Sequence, residues 1–112
     1  MNEQDLKAID VTIEQAREVV KLYEAYKFLS KNKYFKLLIE ETYFLNHASR
    51  LVLLRGDSNV PEENQAAILK EIDAIGTFRS FLRDVVGSGR QAEDTIRMNE
   101  ETREEILAED SQ

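Results

Sequence analysis

Only one proline, Pro61, and four glycines, Gly56, Gly76, Gly87 and Gly89, interrupt the 112 residues. A chain so poor in breakers, and rich in Glu, Leu, Ala, Lys and Arg, favours long helices. No window of alternating β-branched residues is long enough to read as a strand. The first helix is expected from Thr12 to Leu29, after a polar lead-in over residues 1–8. Thr12 and Gln15 fit a capping box at its start. Ile9, Ile13, Ala16, Val20 and Tyr23 recur at helical spacing, with Val19, Leu22, Tyr26 and Leu29 beside them. Asn32 suits the N-cap of a second helix over 33–55. There Tyr34, Leu38, Leu45, Ala48 and Val52 form a heptad-like row, broadened by Phe35, Ile39, Phe44 and Leu51.

Gly56 is expected to stop that helix in a left-handed conformation. Pro61 suits the first turn of a third helix, where its missing N–H costs nothing, and Glu62 and Glu63 complement the N-terminal dipole. This helix is expected to run to Val86, burying Ile68, Ile72, Ile75, Leu82 and Val86, with Leu69 and Phe78 alongside. Gly76 inside it reads as a point of close helix packing. Gly87-Ser88-Gly89 then reads as a turn before a fourth helix over 90–109, which Ala92, Ile96 and Met98 would dock. The expected fold is all-α: an antiparallel three-helix core with an acidic C-terminal fourth helix or tail. Residues 1–92 would form the helical bundle domain and 93–112 the acidic segment.

Charge supports that division. Residues 1–92 hold fourteen acids and thirteen bases; residues 93–112 hold eight acids and two bases. The acidic balance argues against duplex-DNA binding, which needs several phosphate-neutralising contacts. Cysteine is absent, excluding disulfides and thiolate sites. The single histidine, His47, cannot supply paired Glu-x-x-His motifs, and Glu40 and Glu41 sit at the wrong spacing for one. Gly87-Ser88-Gly89-Arg90 lacks the later glycine of a dinucleotide loop and the Gly-Lys-Ser/Thr of a P-loop. No enzyme, cofactor or metal is therefore expected. No basic, apolar leader and no run near the ~20 residues of a spanning helix is visible. The expectation is a cytoplasmic protein without a membrane partner.

Two sets of residues stand out as partner-binding candidates. Lys27, Lys31, Lys33 and Lys36 surround the first interhelical turn, interleaved with Tyr26, Phe28, Tyr34 and Phe35. Charge beside aromatics can receive an acidic protein segment or stack single-stranded nucleic acid, of which the first fits better. The ordinary alternative is a solvated turn whose aromatics belong to the core. The second set is Glu100, Glu101, Glu104, Glu105, Ile106 and Leu107, which either solubilise the chain or dock on a basic surface. Arg79, Arg83 and Arg90, with Arg50 and Arg55, read as partners for nearby carboxylates. The broad apolar circumference of the second helix also allows a homo-oligomer.

The middle of the chain carries a pattern of its own. Phe35-Lys36, Ile39-Glu40-Glu41, Tyr43-Phe44 and Ala48-x-Arg50-Leu51-Val52-x-Leu54 are followed by Ile72-x-Ala74-Ile75-Gly76. Arg79-x-Phe81-Leu82-Arg83, Gly89-Arg90-x-Ala92-Glu93 and Glu100-Glu101 complete it. Over about residues 34–105 this resembles small, all-helical proteins of tailed bacteriophages encoded among virion-assembly genes. The motifs are helix-face patterns. The resemblance implies a phage setting, in host cytoplasm or with the virion, and brings no active-site residue. Residues 1–33 lie outside it. The expected function is non-enzymatic: a structural, scaffold-like or chaperone-like part in virion assembly, with a phage or host protein as partner. The alternative is a phage regulator or inhibitor that holds its target through the acidic C-terminal segment.

Overall fold

A computed structural model of the protein describes residues 2–111. Those residues form three helical rods and no strand, as the scarcity of breakers requires. The first is α1 (Asn2–Ser30). The second, α2, covers 33–55: α-helical over Lys33–Phe35, a π-helix over Lys36–His47 and α-helical again over Ala48–Arg55. The third is α3 (Glu62–Asp110). Their contacts divide into two compact units, residues 2–26 with 84–111, and residues 27–83.

In the first unit, α1 runs antiparallel to the second half of α3. The pairing can be followed along its length: Asn2 Nδ2 donates to Asp110 Oδ1, Arg103 Nη1 meets Asp10 Oδ1 at 3.3 Å, and Arg17 Nη2 meets Glu100 Oε1 at 3.8 Å. Ile13, Ala16 and Tyr23 from α1 and Ala92 from α3 are buried there. This corrects the expected start of α1. Thr12 is not a cap; it lies inside the helix, with its hydroxyl donating to the Ala8 carbonyl at 2.9 Å. The polar residues before it are helical because Asp10 and Asn2 have partners on α3.

The expected break at Gly87-Ser88-Gly89 is also absent, since α3 passes through it as continuous helix. The fourth helix is thus the second half of the third. Glycine disfavours a helix interior by about 1 kcal/mol, but here packing overrides propensity. A methyl group placed on Gly89 would overlap Cβ and Cγ of Tyr23, so only glycine lets the two helices approach that closely. Gly76, expected to mark close packing, instead faces open space. Inward positions along α3, among them Ile75, Leu82, Gly89 and Ile96, follow one another at seven-residue intervals straight through the glycines.

In the second unit, α2 and the first half of α3 are antiparallel. Asn32 caps α2 as expected, its Oδ1 accepting from the N–H groups of Tyr34 at 2.8 Å and Phe35 at 3.2 Å. Gly56 ends the helix, but at φ −86° and ψ −4°, not in the left-handed region. Leu54 O and Asp57 O there accept from the N–H groups of Asp57 and Val60, each at 3.2 Å, and a side chain adds to both. Gln65 Nε2 donates to Leu54 O at 3.1 Å and to Asp57 O at 3.3 Å, while Arg55 donates to Gln65 Oε1 at 3.2 Å. Asp57 Oδ1 accepts from the Asn59 N–H at 2.8 Å and tightens the loop. Pro61 directly precedes α3, its carbonyl accepting from Asn64 and Gln65.

The π-helix decides which side of α2 is buried. Pairing each N–H with the carbonyl five residues back widens the turn beyond the 3.6 residues of an α-helix. Thr42 adds a second bond of the same span, its hydroxyl donating to Leu37 O at 2.7 Å. Residues that turn inward therefore recur every four to five positions: Phe35, Ile39, Tyr43 with Phe44, and His47 with Ala48. Leu51 follows as the buried residue of the α-helical end, and Ile75 of α3 is the other buried residue of this unit. The heptad-like row is not the core row. Tyr34, Leu38, Leu45 and Val52 are all exposed, and only Ala48 of that set is half-buried.

Candidate protein-docking site

The connection between α1 and α2 holds the lysine set. Its backbone is fixed by short bonds: Lys31 N to Phe28 O at 3.3 Å, Asn32 N to Leu29 O at 2.9 Å, and the Ser30 hydroxyl to Lys27 O at 2.9 Å. The Asn32 cap then starts α2 without slack. Lys31, Lys33 and Lys36 are exposed and Lys27 is half-buried. Phe28 is 76% exposed and Tyr34 67%, whereas Phe35 turns inward. Lys33 Nζ stands 5.0 Å from the centroid of the Tyr34 ring, a cation over an aromatic face. Residues 27–39 contain four lysines and no acid. The structure thus places the lysines around one hydrogen-bonded, capped turn with two solvent-facing aromatic rings. Such a surface can hold carboxylates by charge and cover apolar groups beside them.

The acidic set belongs to the other unit. Glu100 is engaged with Arg17, and Arg103 among these acids reaches Asp10. Glu101, Glu104 and Glu105 are exposed, Ile106 is half-buried and Leu107 is exposed. The segment is helical to Asp110 and is held against α1 by these pairs. Each exposed pair contributes at most about 1 kcal/mol, so Ile106 and the neighbouring apolar seam supply part of the hold.

Beside α2's inner row lies a cluster that sequence reasoning did not assemble. Phe78 of α3 meets Phe44 with centroids 5.5 Å apart and Tyr43 at 6.2 Å, edge-on. Tyr43 stacks on the His47 ring at 5.9 Å. His47 Nε2 is 3.5 Å from Glu71 Oε2, and its Nδ1 is 2.8 Å from an Arg50 nitrogen. His47 is thus half-buried at the edge of this cluster. Tyr43, Phe44 and His47 are three and four residues apart and so neighbours on α2; what the sequence gives no signal for is the approach of Phe78 and Glu71 from α3. Arg90 keeps the expected attraction to Glu93 but has a stronger partner beside it. Its main partner is the Tyr23 hydroxyl, and that hydrogen bond raises the guanidinium pKa, with Glu93 adding a smaller share.

Among the described residues, no group of three or more His, Cys, Asp or Glu side chains is placed to hold a metal ion. No helix among them is long and apolar enough to cross a membrane. Comparison with protein-family models, curated proteins and solved structures finds no match.

Proposed function

We propose that this is a non-enzymatic protein of a tailed bacteriophage that acts in virion assembly as a small structural, scaffold-like or chaperone-like component. Its work is to hold another protein at the turn between α1 and α2. The observation that carries this reading is the acid-free run 27–39, with Lys31, Lys33, Lys36, Phe28 and Tyr34 open to solvent on a capped turn. The resemblance of residues 34–105 to small phage proteins supports the setting, in host cytoplasm and with the assembling particle. A partner with an acidic, partly apolar segment fits the turn best.

The test is capture with tagged protein from infected cells, read by mass spectrometry. Wild type is expected to retain a phage virion or assembly protein, and the triple variant Lys31→Glu, Lys33→Glu, Lys36→Glu to lose it. Retention should also weaken as salt screens the lysines. Equal retention by the variant would overturn the assignment of the turn. A second reading draws on Glu101, Glu104 and Glu105, which stand exposed next to Leu107 on ordered helix. There a host or phage protein would be held and regulated through the acidic segment. Charge reversal at those three residues separates the two readings. Mass spectrometry of mature and immature particles separates an assembly component from a regulator that never enters them.

A further inference from the structure

We propose that the lysine turn of one chain receives the acidic segment of a second copy, so that copies join head to tail. This pairing rests on the turn being a docking surface, as the function proposed above does, and names its occupant. Two surfaces of opposite sign carry it. Residues 27–39 hold four bases and no acid, whereas residues 99–110 hold six acids and one base. That base, Arg103, is engaged with Asp10, and Glu100 is held by Arg17. The charges that remain are open. Among the described residues, no hydrogen bond or ion pair engages the side chain of Lys31, Lys36, Glu101, Glu104 or Glu105, and all five are exposed.

Glu101, Glu104 and Glu105 stand three and four residues apart on α3, so their carboxylates share one side of the helix. Leu107 follows Glu104 by three residues and is 48% exposed. The segment thus sets carboxylates in a row with an apolar side chain beside them. On the turn, Lys31, Lys33 and Lys36 supply the cations, and Phe28 and Tyr34 the apolar cover. The segment is helical to Asp110 before any partner arrives, so docking does not have to order it first. The net charge of −7 drives copies apart at long range. At physiological ionic strength such fields decay over about 8 Å, so the touching surfaces decide. Acid against acid, or lysine against lysine, sets like charges face to face; only turn against acidic segment brings opposite ones together. Each copy offers one of each surface, which makes the contact heterologous.

The test is sedimentation velocity and light scattering on the purified full chain, from low micromolar to hundreds of micromolar. Wild type is expected to gain mass with concentration and to return to monomer toward 1 M salt, where the screening length is about 3 Å. The turn variant Lys31→Glu, Lys33→Glu, Lys36→Glu is expected to stay monomeric, as is the segment variant Glu101→Lys, Glu104→Lys, Glu105→Lys. A mixture of the two, or one chain carrying all six substitutions, is expected to regain association. The six-fold variant leaves the net charge unchanged, so its recovery reports the pairing and not the total charge. Where circular dichroism shows that a reversal unfolds the chain, Gln at the same three positions is expected to weaken association. A wild-type monomer at every concentration, association indifferent to either set of substitutions, or a six-fold variant that stays monomeric would each overturn the proposal. If such a monomer still captures a phage protein through its lysines, this pairing falls and the function proposed above stands. Self-association through both surfaces with no phage protein captured means the reverse.

Discussion

Gly76 and Gly89 lie on the same helix and respond oppositely to the same substitution. Gly76→Ala adds a methyl to open space and removes unfolded-chain freedom. It is expected to stabilise the protein by roughly 0.5–1 kcal/mol. Gly89→Ala forces that methyl into Tyr23 and is expected to cost about 1–3 kcal/mol. Urea or thermal unfolding of the two variants measures both; a shift of the same sign would contradict the close contact. Asn32 offers a third reading at this scale. Its Oδ1 holds two N–H groups of the first turn of α2. Asn32→Ala is expected to cost about 1 kcal/mol, and Asn32→Asp much less. Equal losses in the two variants would show that the accepting oxygen is not what matters.

At the level of the element, the π-helix over Lys36–His47 is the segment where propensity, spacing and packing disagree most. Wider turns hold their residues with poorer internal packing, so amide exchange is expected to be faster across 36–47 than across 68–75 of α3. Equal protection would mean that the π-helical turns are as well held as the α-helical ones. Thr42→Val, which removes the hydroxyl bond to Leu37 O, should speed exchange locally while changing global stability by no more than about 1 kcal/mol. Sequence spacing found α2's ends correctly, because Asn32 and Gly56 are local signals that need no tertiary partner. It misplaced α2's buried face, because a heptad assumes the α-helical turn that this segment lacks. It broke α3 at Gly87-Ser88-Gly89, because propensity was weighed there without its partner Tyr23. The seven-residue series Ile75, Leu82, Gly89 and Ile96 was the available sign of continuity. The place of the lysines around the α1–α2 turn was legible, since they sit side by side in sequence, but not that Phe35 turns inward while Phe28 and Tyr34 face solvent. The Tyr43–His47–Glu71 cluster was not, since Glu71 lies on another helix.

On the scale of the molecule, two units with separate cores should report damage separately. Deleting residues 99–112 removes the partners of Asn2, Asp10 and Arg17. Helix is therefore expected to be lost from the first turns of α1 as well as from the deleted stretch. Hydrogen exchange followed by mass spectrometry should show faster exchange over 2–17 and unchanged protection over 62–75. Uniform loss across both segments would mean that the chain unfolds as one cooperative body. The acidic segment thus has a structural task besides any partner it meets, and a truncation that abolishes capture has to be compared with point charge reversals before the loss is assigned to recognition.

The bond between Asn2 and Asp110 also bears on how the chain can be rewired. It sets the start of α1 beside the end of α3, so a short Gly/Ser bridge can join the two helices. New termini can then be opened at Ser58, in the exposed loop before Pro61. Such a circular permutant would keep every helix and change only the order in which they leave the ribosome, with α3 first and then α1 and α2.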